Sequence, residues 1–295
     1  MANNIMKYAV IDIGSNSVRL MMSDGQFTEY KQVKTTRLAE NMGTEKILQL
    51  GPIERTVSAV SFFVQKAKNE NADRIYIFAT AAVRQVKNKQ EILDKIKFTT
   101  GLDVDVIDGL MEAKLGAQGA LGGLDGGIID VGGASSEVLV VKNGEIIYSK
   151  SINIGAVKIF NDCGQDKCKI LKLVKQAVKE FESIPNANYF GIGGTATSLA
   201  SISLKMPTYN PKLVHGYVLS LQEIKDLRDK LLAMSVEEKR ALVGLQPDRA
   251  EVIAGGVAIV YEILTIAKSD KLVISENDNL EGYLAFKGVI NEKKN

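Results

Sequence analysis

Residues 127–141 read Gly-Ile-Ile-Asp-Val-Gly-Gly-Ala-Ser-Ser-Glu-Val-Leu-Val-Val, two apolar runs around a loop of small residues bounded by carboxylates. The β-branched pair Ile128 and Ile129 reads as the end of a buried strand. Residues 138–141, apolar throughout, read as a second strand covered on both faces. Between them Gly132, Gly133 and Ala134 leave backbone N–H groups open to an anion, and Ser135 and Ser136 add hydroxyl donors. Asp130 and Glu137 cannot hold a phosphate themselves. Beside a phosphate loop, carboxylates make sense where a metal ion or an attacking water lies between. A glycine pair alone would be no more than a hairpin turn. What raises this one is that the chain contains it twice.

Residues 8–22 read Tyr-Ala-Val-Ile-Asp-Ile-Gly-Ser-Asn-Ser-Val-Arg-Leu-Met-Met, and laid over the first stretch they put Asp12 on Asp130, Gly14 on Gly132 and Ser17 on Ser135. Each copy runs on to a hairpin signal, Asp24-Gly25 or Asn143-Gly144. Two strand–loop–strand–turn–strand units predict two related domains facing each other across a cleft. Arg19 stands where the other copy has Glu137, so the two loops do different jobs. The glycine run at 122–127 is the expected hinge. It puts the first domain over residues 1–122 and the second over 123–283, with a C-terminal helix at 284–295 able to cross back to the first.

A chain of 295 residues has room for two cores. A formal charge of +2 gives no basis for a nucleic-acid or membrane-surface partner. No apolar run is long enough for a bilayer and no signal-peptide core opens the sequence, which predicts a cytoplasmic protein. Cys163 and Cys168 have no third ligand nearby and the single histidine, His215, is distant, so a zinc site is not expected. The thiols read as reduced.

Outside the repeats, Ile53, Val57, Val60 and Val64 after Pro52 have the spacing of one helix face, predicting a helix over 52–69. Strands are expected at 74–79, 104–107, 189–192 and 271–275, and helices at 90–99, 109–121, 167–183, 247–267 and 284–289. Capping-box spacing in Ser220…Glu223 and Ser235…Glu238 predicts two further helix starts. Strands alternating with helices give an α/β fold class.

Three Gly-rich turns follow strands, at Gly14, Gly132 and Gly193, and together predict a site for one phosphorylated ligand. Its expected lining is Gly14, Ser15, Asn16 and Ser17 from the first turn and Gly132, Gly133, Ala134 and Ser135 from the second. Gly193, Gly194 and Thr195 come from the third. Arg19, Arg84 and Lys114 are the candidate cations, and Arg84 stands out because it closes a small-residue segment straight after a buried strand. Asp12, Asp130 and Glu137 are the carboxylates in or beside the loops. Glu112, at a helix start, reads from composition alone as a dipole partner.

Five stretches resemble the exopolyphosphatase / guanosine pentaphosphate phosphatase family, within the sugar kinase–heat-shock 70–actin superfamily. They are Asp12-Ile-Gly-Ser-Asn-Ser17, Ala79-Thr-Ala-Ala-Val-Arg84, Glu112-Ala-Lys114, Asp130-Val-Gly-Gly-Ala-Ser-Ser-Glu137 and His215-Gly-Tyr217, with Gly193-Gly-Thr195 and Pro247-Asp-Arg249 in support. The resemblance implies two ribonuclease-H-like (actin-like ATPase) domains with phosphate in the cleft and Mg²⁺ (or Mn²⁺) as cofactor. It gives Glu112 the role of catalytic base and Arg84 that of gripping phosphate. Asp130 and Glu137 position metal and water, with Asp12 completing the metal set. The implied substrate is inorganic polyphosphate or guanosine pentaphosphate (or its tetraphosphate relative), and the implied assembly a homodimer. Three departures stand out. Ala134 replaces the third glycine of the family loop, Leu280 replaces an arginine near the C-terminus, and the chain stops where long members continue into helical domains.

Metal-assisted hydrolysis of a terminal phosphate is the leading expectation, since phosphoryl transfer needs charge neutralisation and an in-line water more than covalent chemistry. A kinase using ATP, with Gly193-Gly-Thr195 near the adenosine, is one alternative. A non-catalytic sensor of alarmone nucleotides or polyphosphate is the other: Ala134 and Leu280 keep it open, while Glu112, Asp130 and Glu137 speak for catalysis.

Overall fold

The computed structural model describes residues 6–43 and 45–289, and in it the sequence duplication is a duplication of sheets. Strands β1 (Tyr8–Ile13), β2 (Ser17–Ser23) and β3 (Thr28–Thr35) form an antiparallel meander. β4 (Arg74–Ala79) and β5 (Asp105–Val106) extend it in parallel, in the order β3-β2-β1-β4-β5. β6 (Gly126–Val131), β7 (Ser136–Lys142) and β8 (Glu145–Ile152) repeat the meander. With β9 (Tyr189–Ile192), β10 (Val218–Ser220) and β11 (Lys271–Ile274) the second sheet runs β8-β7-β6-β9-β11-β10, the same topology with one strand added. The strand expected at 104–107 shrinks to the two residues that reach β4.

Helices α1 (Leu50–Asn69), α2 (Ala81–Arg84), α3 (Lys89–Thr100) and α4 (Gly109–Leu121) come before the second sheet. α5 (Ala156–Cys163), α6 (Lys167–Ala177), α7 (Gly193–Ser203), α8 (Pro211–Val214), α9 (Leu221–Ala233), α10 (Val236–Arg240), α11 (Ile253–Ile266) and α12 (Asn279–Phe286) follow. Both expected capping boxes are present, Ser220 with Glu223 and Ser235 with Glu238. No described helix is long and apolar enough to cross a membrane.

Three helices differ from the sequence pattern. The one expected over 167–183 ends at Ala177 and tightens into a 3₁₀ turn, Val178–Phe181, which buries Val178 and Phe181 against the second core. The one expected over 247–267 is a 3₁₀ turn, Pro247–Arg249, followed by α11, and the break carries Arg249 to the cleft. The last helix starts at Asn279 rather than 284. Asp278 accepts from the Leu280 N–H at 2.9 Å while Glu281 accepts from the Asp278 N–H at 2.9 Å, a capping box inside a polar run. Residues 290–295 of the expected helix lie outside the described residues.

Each sheet has its own core, with Ile11, Leu20, Val60 and Phe63 in one and Ile129, Val138, Leu199 and Val257 in the other. Helices α4 and α12 join them. Ala113, Ala117 and Leu121 of α4 pack on Ile128, Leu139 and Ile192 of the second sheet. Leu115 joins Leu280, Tyr283 and Leu284 of α12 against Val10 and Phe78 of the first. The chain therefore passes between the sheets before α4 and again before α12, and the glycine run at 122–127 links α4 to β6. At Gly119 and Gly282 the backbones of the two helices come into direct contact. A Cβ on Gly282 would lie 1.8 Å from the Leu115 carbonyl oxygen, and one on Gly119 would lie 2.0 Å from that of Asp278.

Gly119→Ala or Gly282→Ala should accordingly force this crossing apart, at a cost of about 1–3 kcal/mol each, the usual range for overpacking. Urea unfolding measures it. A loss below about 0.5 kcal/mol, the range of neutral surface changes, would show that the crossing yields freely.

Candidate active site

The two small-residue loops are one turn built twice. The Gly14 N–H donates to the Ser17 carbonyl at 3.0 Å, and the Gly132 N–H to the Ser135 carbonyl at 3.1 Å. The loops meet face to face, so closely that a Cβ on Gly133 would come within 2.5 Å of Ser15 Cβ. Gly193, left-handed at φ 74°, closes the third side with its α-carbon beside Asp130. A Cβ there would sit 2.7 Å from Asp130 Oδ1, so glycine is needed on both counts. Residues 14–17, 132–135 and 193–195 all line the cleft between these turns, which encloses about 110 Å³. That is below the roughly 300 Å³ of a pocket for a drug-sized ligand, and suits a small anion. Past Arg19, Gly193, Gly194 and Arg249 the cleft opens into a second pocket of about 340 Å³.

Strand register then decides the charges. β1 and β2 pair Asp12 with Arg19, whereas β6 and β7 pair Asp130 with Glu137. In the first copy the pair is an ion pair: Arg19 Nε and Nη2 donate to Asp12 Oδ2 at 2.8 and 2.6 Å, and Nη1 donates to Asp278 Oδ2 at 2.5 Å. Lys31 extends the network to Glu281 at 2.9 Å. In the second copy two carboxylates stand side by side. Glu137 Oε1 accepts from the Ser151 hydroxyl at 2.6 Å, while its Oε2 is buried without a partner. Asp130 Oδ2 accepts from the Asn279 amide at 3.2 Å. Glu112, in the first turn of α4, accepts from Arg84 at 3.0 Å, and Arg84 also donates to the Ile107 carbonyl at 2.9 Å.

Burial dominates the titration of these acids. It pushes the Glu112 carboxyl up to about 7, against the pull of Arg84. Burial and then the charge of Glu112 raise Asp130, and burial followed by Glu112 and Asp130 raises Glu137 well above the carboxylate range. Asp12 is raised too, by burial that Arg19 only partly offsets. Asp278 shows the opposite outcome. Burial pulls it upward, but Arg19 and Lys31 together hold it below its ordinary value.

Not every predicted residue reaches the cleft. Lys114 is exposed, because α4 turns 112, 113, 116 and 117 inward and 114 outward. Arg19 lines the cleft with its guanidinium already engaged by two carboxylates. Arg84 meets Glu112 from behind and does not line the cleft itself. Glu137 is buried outside the lining. Conversely, Thr80, Asn279 and Arg249 line the cleft and were not among the predicted site residues. Arg249 makes no ion pair among the described residues, and burial followed by repulsion from Arg19 lowers its pKa. Its only signal was the motif Pro247-Asp-Arg249. Among the described residues no three His, Cys, Asp or Glu side chains converge to hold a metal ion by themselves, so Asp12, Asp130 and Glu137 are not a closed cage.

Residues 20–287 match the model of the Ppx/GppA phosphatase family. The chain belongs to that family. It is 30% identical over 320 aligned positions to a bifunctional 3-dehydroquinate synthase/phosphatase of Fusobacterium nucleatum, covering 98% of this chain and 47% of that protein. Exopolyphosphatase 2 of Mycobacterium tuberculosis is 25% identical over 94% of this chain and 97% of its own length. The guanosine-5'-triphosphate,3'-diphosphate pyrophosphatase of Pseudoalteromonas translucida is also 25% identical, over 94% of this chain and 58% of that protein. The chain thus spans about half of some relatives and nearly all of others. A crystal structure of the Aquifex aeolicus Ppx/GppA family member superposes with a TM-score of 0.79 at 28% identity, over 96% of this chain and 98% of that one. The expected α/β architecture of two actin-like domains around a cleft is therefore the fold of this Ppx/GppA member.

A buried acid whose folded pKa exceeds its unfolded one stabilises the fold while protonated. For Glu112 that contribution is complete below the ordinary value of 4.5 and is lost as pH rises through about 7. In metal-free protein, Glu112→Gln should match wild type near pH 4 and exceed it by on the order of 3 kcal/mol at pH 8. Denaturant unfolding across that range measures the gap, and parallel curves would mean Glu112 titrates normally.

Proposed function

We propose that this chain is a phosphohydrolase that releases terminal phosphate from inorganic polyphosphate or guanosine pentaphosphate by water attack. The observation that carries the reading is the pair of matched phosphate loops facing each other over the buried carboxylate of Glu112. Backbone N–H groups and hydroxyls of 15–17 and 133–135 receive the terminal phosphoryl group, the Gly14 and Gly132 N–H groups being used to close the turns. Arg249, free of carboxylate partners among the described residues, takes the next phosphate by charged hydrogen bonds. The 340 Å³ pocket beyond it has space for the rest of the chain or for a nucleoside.

Glu112 is the proposed base. A carboxyl that titrates near 7 is partly ionised at neutral pH and basic enough to take a proton from water. Arg84 holds it in place through one oxygen. Asp130 and Glu137, both raised by burial, would give up their protons to a cation bound beside them.

For Mg²⁺ (or Mn²⁺) the residues fit one mode of binding. Asp12 Oδ1 is buried without a partner, Asp130 lines the cleft beside it, and neither Asp130 nor Glu137 has an ion-pair partner among the described residues. Asp12 and Asp130 would hold the ion together with substrate oxygens, the usual manner for Mg²⁺ in phosphate sites. Bound there, it neutralises charge on the phosphoryl oxygens. A cytoplasmic location and a homodimer belong to the same proposal, as does the absence of nucleic-acid or membrane partners. A kinase or a silent sensor has no observation in its favour.

Phosphate release from polyphosphates of several lengths, guanosine pentaphosphate and ATP tests the reading. Glu112→Gln should bind substrate yet lose about 10²–10⁴-fold in kcat. Arg249→Ala should raise KM about 10–100-fold, the worth of a charged hydrogen bond. Turnover of Glu112→Gln within a few-fold of wild type would remove the base, and no release from any phosphate chain would overturn the function.

A further inference from the structure

We propose that Arg37 is a positioning residue that ties the first phosphate loop to the Arg249 segment across the cleft. The inference rests on the reading of the cleft as a phosphate site.

After β3 the chain doubles back beneath the first loop. The N–H groups of Thr36 and Arg37 both donate to the Asn16 carbonyl, at 3.0 and 2.9 Å, and the Ala39 N–H donates to the Ser15 carbonyl at 3.0 Å. The two middle residues of the loop thus hang from this strap by their carbonyls. Leu38 and Ala39 are buried in the first core, which anchors the strap. Arg37 stands in the left-handed region at φ 51°, a conformation unfavourable for any residue with a Cβ. Glycine would take it freely, so Arg37→Gly removes the side chain without adding backbone strain.

The side chain crosses to the other body. Arg37 Nη1 lies 3.1 Å from Glu251 Oε2, in a pair about a third exposed on the arginine side and a fifth on the other. Glu251 belongs to the turn that presents Arg249, where the Val252 N–H donates to the Arg249 carbonyl at 3.1 Å. Arg240 holds the other oxygen of Glu251 at 3.0 Å, and Gln165 donates to its carbonyl at 2.9 Å, so Glu251 is a fixed anchor. A second contact runs beside the first, where the Asn161 amide of α5 donates to the Ala39 carbonyl at 2.9 Å. Val157, in the first turn of the same helix and in the cleft wall, packs into the first core. One four-residue strap therefore reaches three parts of the site: the loop at Ser15 and Asn16, the start of α5, and the turn carrying Arg249.

The test separates positioning from mere support, using the full chain and tripolyphosphate. Arg37→Ala and Arg37→Gly should both raise KM about tenfold while kcat stays within about threefold, the effect of one partly buried charged contact. Arg37→Lys should recover most of the loss, because the charge still reaches Glu251. Glu251→Gln should raise KM at least as much as Arg37→Ala, since it also loosens Arg240, and the double variant should be no worse than Glu251→Gln alone, the Arg37 contact being already lost there. Glycine relieves the backbone strain, so a strap that only supports the fold predicts wild-type KM for Arg37→Gly; that result would overturn the proposal. Amide exchange supplies a readout that needs no turnover. Glu251→Gln should speed exchange at residues 15–17, and Arg37→Gly should speed it at 249–252. Unchanged exchange on the far side would overturn the strap whatever the activity. Coupled exchange in a protein that releases no phosphate would uphold the strap and sink the phosphatase reading instead.

Discussion

Asp130 and Glu137 face each other across β6 and β7 with no ion pair to a cationic side chain among the described residues, and Asp130 of that pair lines the cleft. Like charges directly across two strands are destabilising, and burial raises the penalty by removing water. Nearby acids make it worse: Glu112 adds its own charge to both. A fold selected for stability alone would place a cation there, and the other copy does so. At the matching register Asp12 faces Arg19, which also holds Asp278. One changed residue thus gives Asp12 a guanidinium partner in one repeat and leaves Asp130 and Glu137 in the other without a cationic partner among the described residues, held toward their protonated forms. Such a breach of local rules, held by the surrounding structure, marks a functional centre.

The joint between the sheets carries the site with it. α4 brings Glu112 into the cleft from its first turn, and α12 brings Asn279 to Asp130 from its own. Their backbones touch at Gly119 and Gly282, so neither helix shifts without the other. Glu112 and the amide that steadies Asp130 are consequently set by two close backbone approaches, Gly119 on Asp278 and Gly282 on Leu115. Leu280, where the family resemblance implied an arginine, is fully buried in this joint among Val10, Phe78 and Tyr283. It serves packing here, and among the described residues the cleft's unpaired guanidinium is that of Arg249.

Local pattern explains what was legible. The repeated strand–loop–strand units, the strands at Arg74–Ala79 and Tyr189–Ile192 and the two serine capping boxes depend on neighbours within a few residues. So do the loop residues that line the cleft. What escaped depends on distant partners. Nothing near Arg19 in sequence announces Asp278, yet that carboxylate turns a candidate phosphate ligand into a structural ion pair. Arg249 lies in a helix break that apolar spacing reads as continuous helix, and Lys114 shares a motif with Glu112 but the helix sends it to solvent. Glu112 itself carried no local signal beyond a helix start. Its perturbed acidity comes from burial between two domains that sequence periodicity cannot place together.

The central claim is that a buried carboxylate directs water onto the terminal phosphorus of a chain held between the two loops. Hydrolysis of tripolyphosphate in ¹⁸O-labelled water, with mass analysis of both products, tests it most directly. Attack at the terminal phosphorus places one labelled oxygen in the released phosphate and none in the pyrophosphate left behind. Label in the pyrophosphate instead, or phosphate released without label, would contradict the account.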